Sequence, residues 1–276
     1  MRNVRVAAVC MRSEAADIGG NLAKTAVFAE RASRMGVDIL CFPELSLTGY
    51  SLREPGKIYG GSSSEAVLEK VLGIAREKGL LIIAGLVEPS DGGRPFITQI
   101  VAGPRGHLGS YRKTHLSPKE RRQYRPGDRI DVFSYRDINF GITLCYEAHF
   151  PEISTVMALK GAEIIFIPHA SPRGSPMEKN QSWLRHLPCR AFDNASFVVA
   201  CNQVGRTKEG YNFPGIVMVF DPTGRLMGHY RGNHEKMVVA DLKKRDLEEV
   251  RRHSMRYFIP NRRPELYRDL CQGQTG

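Results

Sequence analysis

The apolar residues of this chain come in short runs, and almost every run is followed by a helical pattern or a tight turn. Residues 4–9, 37–42, 80–87, 140–144, 162–167 and 197–201 are largely apolar stretches of strand length, bounded by glycine, proline or polar residues. Residues 21–35, 63–78, 151–159 and 177–194 place apolar side chains at helical spacing; Ser63 or Ser64 can cap the second and Gly79 can close it. Gly103-Pro104-Arg105-Gly106 is a turn signal that predicts a hairpin of residues 96–102 and 107–111. Arg136-Asp137 makes another tight turn after residues 132–135, and Asp221-Pro222-Thr223-Gly224 turns a late β section at 216–220, 226–230 and 237–241. Hairpins mixed with strand–helix units predict an α/β domain of two mixed sheets packed face to face, with helices outside. With no repeat, no low-complexity segment and no separating linker, residues 1–276 read as one domain.

Three of these runs end in reactive groups. Gly141-Ile142-Thr143-Leu144-Cys145-Tyr146-Glu147-Ala148-His149 closes a buried-looking strand on a thiol, and Phe150-Pro151 then breaks it. The carboxyl ends of strands in open α/β sheets are where ligands bind, and a thiol there needs little activation to be a nucleophile. Taken alone, the window reads rather as a small apolar cysteine packed in a core. Residues 39–45 end a second strand at Glu44, behind Pro43 and among apolar neighbours, where an unpaired carboxylate would be costly. Lys113 leaves a third strand in Tyr111-Arg112-Lys113-Thr114-His115-Leu116; alone it reads as a solvated charge.

Together these windows carry a resemblance to the nitrilase superfamily of carbon–nitrogen hydrolases, whose members use a Glu-Lys-Cys triad. The matching pieces are Phe42-Pro43-Glu44, Tyr111 to Leu116, and Cys145-Tyr146-Glu147 with Phe150-Pro151-Glu152. Arg190-Ala191-Phe192-Asp193-Asn194, Asp221 to Gly224 and Arg262-Arg263-Pro264-Glu265-Leu266-Tyr267 follow in the family's order, so the resemblance spans nearly the whole chain. It implies a four-layer α-β-β-α sandwich and a homodimer in which residues 246–276 pack on the second subunit. That tail is too charged to form its own core, and Tyr257, Phe258 and Tyr267 are its candidate anchors.

The resemblance also assigns chemistry. Cys145 would attack a carbonyl carbon, with its pKa lowered from about 8.5 by a nearby cation. Lys113 would supply that charge and hold the oxyanion, and Glu44 would move the protons. Glu120, in Ser117-Pro118-Lys119-Glu120, stands where the family carries a second active-site glutamate; without the resemblance it reads as a solvated acid. Tyr146, Glu147, His149 and His169 are the expected substrate-binding residues. Glu147 and His149 stand where many amidase-like members carry aspartate and arginine, which puts a borrowed carboxylate clamp in doubt. Val217 replaces a frequent serine. Trp183 and Arg190, about two turns apart on the 177–194 helix, are expected on one face near the pocket rim. No metal and no cofactor is required.

Composition excludes other classes. The six cysteines, at 10, 41, 145, 189, 201 and 271, form no Cys-x-x-Cys pair, which argues against a zinc site and a secreted disulfide framework and for a reducing cytosol. Cys41, Cys189 and Cys201 read as inert core thiols. No signal core follows Met1, and no apolar run approaches membrane-spanning length, so the expected location is cytoplasmic, with no membrane partner. The net charge of +11 comes from scattered clusters interleaved with acids, without an aromatic platform, so a solvated surface or an anion-attracting funnel is expected rather than nucleic-acid binding.

The expected activity is thiol-dependent hydrolysis of a small carboxamide or N-carbamoyl amine through a Cys thioester. Nitrile hydrolysis by the same triad and a catalytically silent interaction module are the alternatives. Tyr146 after the nucleophile leans toward amides, since true nitrilases usually place tryptophan there. Histidines beside Lys113, on a basic chain, lean toward a neutral or acidic substrate over a cationic one.

Overall fold

Alternate residues of the central strands enter different cores, and this fixes the layers. Ile164 and Phe166 join a large core shared by both sheets, whereas Ile165 and Ile167 join a second core with Met157, Trp183, Leu187 and Ala191. Val217 and Val219 likewise point into the first core, and Ile216, Met218 and Phe220 into the second. This period of two buries both faces of a sheet between unlike partners. The structure, a computed structural model, describes residues 1–59 and 62–271.

In chain order the first strands are β1 (Val4–Cys10), β2 (Ile39–Cys41), β3 (Leu81–Glu88), β4 (Phe96–Gly103) and β5 (Gly106–Arg112). Next come β6 (Val132–Tyr135), β7 (Ile138–Ile142), β8 (Ile164–His169) and β9 (Phe197–Asn202). A two-residue pair, β10 (Gly205–Arg206) and β11 (Asn212–Phe213), precedes β12 (Gly215–Phe220), β13 (Leu226–Gly232) and β14 (Lys236–Leu242). One six-stranded sheet has the order β14-β1-β2-β3-β4-β5 and the other β13-β12-β9-β8-β7-β6. Each has a parallel centre, β1-β2-β3 or β7-β8-β9, flanked by antiparallel strands. Helices α1 (Ile18–Arg34) and α2 (Ser64–Lys78) cover the first sheet; α3 (Pro151–Leu159), α4 (Pro176–Leu184) and α5 (Leu187–Phe192) cover the second. The fold is the expected α-β-β-α sandwich.

Local signals explain most boundaries. Asp17 accepts the Gly20 amide and starts α1 three residues before the expected position 21. Ser63 caps α2 through the Ala66 amide, and Gly79 ends it at φ 69°. Arg136 and Asp137, at φ 46° and 62°, make the tight left-handed turn between β6 and β7.

Two expectations fail. The helix at 177–194 is two helices, α4 and α5, because Pro188 has no N–H to offer Leu184 and its ring would collide with that carbonyl. The late β section does not stay together: β12 and β13 edge the second sheet, while β14 crosses to pair with β1 in the first. Strand pairing between Val4 and Leu242 is a long-range choice with no local signal. After β14, α6 (Lys244–Arg252) packs Leu247 and Val250 on this chain's own body. Beyond it Met255, Phe258, Leu266, Tyr267 and Leu270 stay exposed. Among the described residues no helix is long and apolar enough to cross a membrane.

One glycine ties the fold to the end of β2. A Cβ on Gly85 would fall on the Leu45 amide nitrogen and lie 3.0 Å from the Glu44 carbonyl carbon, while Gly85 N–H donates to Ser46 Oγ at 3.1 Å. Gly85→Ala is predicted to destabilise the protein by about 1–3 kcal/mol, as overpacking does. Urea unfolding measures this; an unchanged midpoint would show that β3 does not hold Glu44 in place.

Candidate active site

Glu44, Lys113 and Glu120 meet in a space closed to water. Glu44 follows Pro43 at the end of β2, and Leu45 after it sits at φ 55°, which turns the chain and leaves the carboxylate inside. Lys113 is the first residue after β5, and Glu120 opens the short 3-10 turn Glu120–Arg122. Lys113 Nζ donates to Glu44 Oε1 at 2.7 Å and to Glu120 Oε1 at 2.9 Å. The free oxygens are also used: Ala170 N–H donates to Glu44 Oε2 at 2.9 Å, and Ser117 N–H donates to Glu120 Oε2 at 2.7 Å. Burial disfavours charge on Lys113, but the negative charges of Glu44 and Glu120 outweigh it and hold the ammonium well above its usual range. Burial pushes the Glu44 carboxyl up, against the opposing pull of Lys113.

Cys145 follows β7 on a bend. Leu144 is extended, Cys145 is left-handed at φ 46°, and the 3-10 turn Cys145–His149 then leads into α3. A non-glycine residue in that region is strained and is retained where its surroundings fix it. The thiol lines a cavity of about 830 Å³ together with Tyr50, Glu120, Tyr146, His149, His169, Trp183, His186 and Tyr211. Burial raises the thiol's proton affinity and Glu44 raises it further, with Lys113 opposing. This direction is opposite to the lowering expected from a nearby cation, because that cation is shared between two acids.

Glu147 is what holds the bend. Its Oε2 accepts the Leu144 amide at 2.6 Å, and its Oε1 accepts the Thr114 amide at 2.7 Å, the His115 amide at 3.1 Å, the Thr114 hydroxyl at 2.6 Å and the Tyr111 hydroxyl at 2.9 Å. The residue is fully buried and is not part of the cavity wall. The expectation that it binds substrate is corrected: it locks the Cys145 bend to the loop that carries Lys113. From the other side, Arg190 Nε donates to Ala148 O at 3.0 Å. Trp183 and Arg190 thus do different work; the helix break separates them, and only Trp183 faces the cavity.

The remaining candidates do reach the cavity. The His169 ring stacks on Trp183 at 4.2 Å between centroids, and its Nδ1 lies 2.8 Å from Ile167 O, so that nitrogen carries the proton. Tyr146 meets the rings of Phe150 and His149, and His149 lies 4.5 Å from the His186 ring. Burial lowers the pKa of all three imidazoles, that of His169 well below its usual range and that of His186 to about 4 with help from His149. Sequence reasoning missed Tyr50, Lys179 and His186. Lys179, Trp183 and His186 fall four and three residues apart, a helical face that could have been read. Cys41 and Cys201 are buried as expected, but Cys189 is exposed, because α5 is short and turns that position outward.

These observations find counterparts in known proteins. Residues 5–252 match the description of the family "Carbon-nitrogen hydrolase". The chain is 29% identical over 268 residues to a nitrilase of Pyrococcus abyssi, covering 96% of this chain and 99% of that one. It is 31% identical over 221 residues to an (R)-stereoselective amidase of a Pseudomonas species, covering 78% and 76%. A crystal structure of an amidase from a Nesterenkonia species superposes with a TM-score of 0.82 at 27% identity, over 97% of this chain and 96% of that one. A variant of that amidase carries the acetamide moiety of fluoroacetamide covalently at its active-site cysteine. The chain belongs to the carbon–nitrogen hydrolase family.

A pH dependence follows from the buried imidazoles. His169 and His186 are held below their unfolded pKa of about 6.5, so the folded chain binds fewer protons there. Their stabilising contribution is complete above about pH 6.5 and is lost as pH falls through the folded values, about 4 for His186. Stability to urea should fall between those limits, and His186→Gln should flatten the fall. A variant with the wild-type slope would remove His186 from the account.

Proposed function

We propose that this chain is an amidase that hydrolyses a small carboxamide or N-carbamoyl amine through a thioester on Cys145. The observation that carries the proposal is the buried Lys113 ammonium bridged between Glu44 and Glu120 beside a cavity with a thiol in its wall. An ammonium has three N–H groups. Two are given to the glutamates, which leaves the third for a developing oxyanion.

The steps follow from the proton affinities. Cys145 is a thiol at rest, so Glu44, its carboxyl pushed up by burial, takes the proton as the C–S bond forms. The carbonyl oxygen becomes an oxyanion held by Lys113, a contribution of about 3–4 kcal/mol in comparable sites. Glu44 returns the proton to the departing nitrogen as the C–N bond breaks, and ammonia or an amine leaves. Glu44 then deprotonates a water that attacks the thioester, and the acid departs with the thiol restored. Glu120 keeps Lys113 charged and aimed. Tyr146, His149 and His169 line the space beyond the reacting carbon. The amidase reading takes support from Tyr146, and from the amidases among this chain's relatives and structural neighbours.

Ammonia release from a panel of amides, carbamoyl compounds and nitriles tests the reading. Cys145→Ala should abolish turnover with unchanged circular dichroism, and Glu44→Gln should lower kcat by roughly a hundredfold or more. Lys113→Ala should lose activity and also stability, because it leaves Glu44 and Glu120 buried without their cation. Turnover that survives in Cys145→Ala overturns the mechanism. Iodoacetamide labelling adds a check, because substrate should protect Cys145 but not the exposed Cys189.

We further propose a symmetric homodimer in a reducing cytosol, with residues 246–270 packed on the partner. Met255, Leu266 and Leu270 are each more than half exposed on this chain alone, which supports a covered face. Light scattering at micromolar concentration should report twice the chain mass, and a monomer would sink the assembly while leaving the chemistry intact.

A further inference from the structure

One buried cation in the cavity has no acid. Lys179 lies four residues before Trp183 on α4, so both side chains occupy the face that α4 turns toward Cys145. Lys179 is only 8% exposed, yet its ammonium has a single polar partner, Ser171 Oγ at 2.6 Å. Among the described residues no carboxylate lies within ion-pair distance of it. The two acids in the cavity wall are spent elsewhere. Glu178 is exposed and accepts the Ser175 amide at the start of α4, and Glu120 is committed to Lys113 and Ser117. Burying an ammonium against one hydroxyl is costly, and burial accordingly lowers its pKa.

The rest of the wall does not supply the missing charge. His149, His169 and His186 are neutral near pH 7, so they offer polar edges without a negative charge, and Arg173 on the rim adds a positive one. The cavity wall that carries Cys145 therefore also carries a buried cation with no carboxylate partner among the described residues. Building on the amidase reading of Cys145, we propose that Lys179 is a specificity residue that holds a substrate carboxylate, so that the preferred substrate is the monoamide, or the carbamoyl derivative, of a compound carrying a free acid. The N–H groups that Ser171 does not use would bond the carboxylate, and the ion pair would form in a site already stripped of water, where charge-assisted bonds are strongest.

The test is a series of dicarboxylic monoamides of three to six carbons, each against its neutral diamide and the matching amide with a terminal ammonium. The wild-type protein should prefer the carboxylate compound in kcat/KM by roughly ten- to hundredfold at its best length, chiefly through KM. Lys179→Met should bring the carboxylate-to-diamide ratio close to one, and Lys179→Arg should retain part of the preference. Equal use of diamides at every length by the wild type, or an unchanged ratio in Lys179→Met, overturns the proposal. Calorimetric binding of the same compounds to Cys145→Ala separates this from the amidase reading. Carboxylate-selective binding that depends on Lys179, in a protein that turns over no amide, would keep the clamp and sink the amidase. Turnover of diamides with no selectivity in binding would do the reverse.

Discussion

Lys113 Nζ lies 2.7 Å from Glu44 and 2.9 Å from Glu120, and all three side chains are withdrawn from water. Desolvating such charges costs several kcal/mol each, and the cost is offset only if every oxygen finds a donor. The donors come from both sheets. Ala170, which bonds Glu44, follows β8 of the second sheet, and Gln203 Nε2, which bonds the Glu44 carbonyl at 2.9 Å, follows β9. The face-to-face packing of the sheets is thus a condition for the cluster's charges to exist, and the cluster in turn fixes how the strand ends of one sheet meet those of the other.

The same cluster decides how the thiol must work. A lone ammonium would draw the proton off Cys145, as the sequence reading expected, but here one positive charge faces two negative ones. Burial and Glu44 raise the proton affinity of the thiol, and burial also raises that of Glu44 beside the same ammonium. A resting thiol is also less open to stray alkylation and oxidation than a thiolate. The strained φ of Cys145 is held by Glu147, whose five donors come from the Cys145 bend, the Lys113 loop and Tyr111. Nucleophile and cation are therefore positioned by one shared carboxylate that need never touch the substrate.

Glu44, Lys113 and Cys145 stood out as reactive groups at strand ends, but it was the family resemblance that joined them, since alone Lys113 read as a solvated charge and Cys145 as a core thiol. The layers were legible from periodicity, since Ile164 to Ile167 alternate between cores. Glu147 was misplaced because adjacency to Cys145 in sequence says nothing about which way a 3-10 turn aims each side chain. The displacement of β14 into the first sheet had no local mark, and the lowered pKa expected for Cys145 failed because a pKa depends on the sum of charges in a folded cluster. Cys189 was misjudged because a cysteine's usual preference for the interior says nothing about which side of α5 it occupies, and that helix buries Leu187, Arg190 and Ala191 instead.

That proline shapes the site more than any boundary shift implies. An unbroken helix across residues 177–194 would put Trp183 and Arg190 on one face, both at the rim. Because α4 ends at Leu184 and α5 restarts at Leu187, the two halves are free to serve different sides of the Cys145 bend. Arg190 on α5 reaches beneath it to the Ala148 carbonyl, and Trp183 on α4 stacks on His169 inside the cavity with Lys179 a turn away. His186, in the break itself, is carried against His149. Support for the nucleophile and the lining of its pocket are thereby divided between two short helices. A change of cavity polarity on α4 can then alter which substrate is accepted while the hydrogen bond from α5 to the bend is left in place.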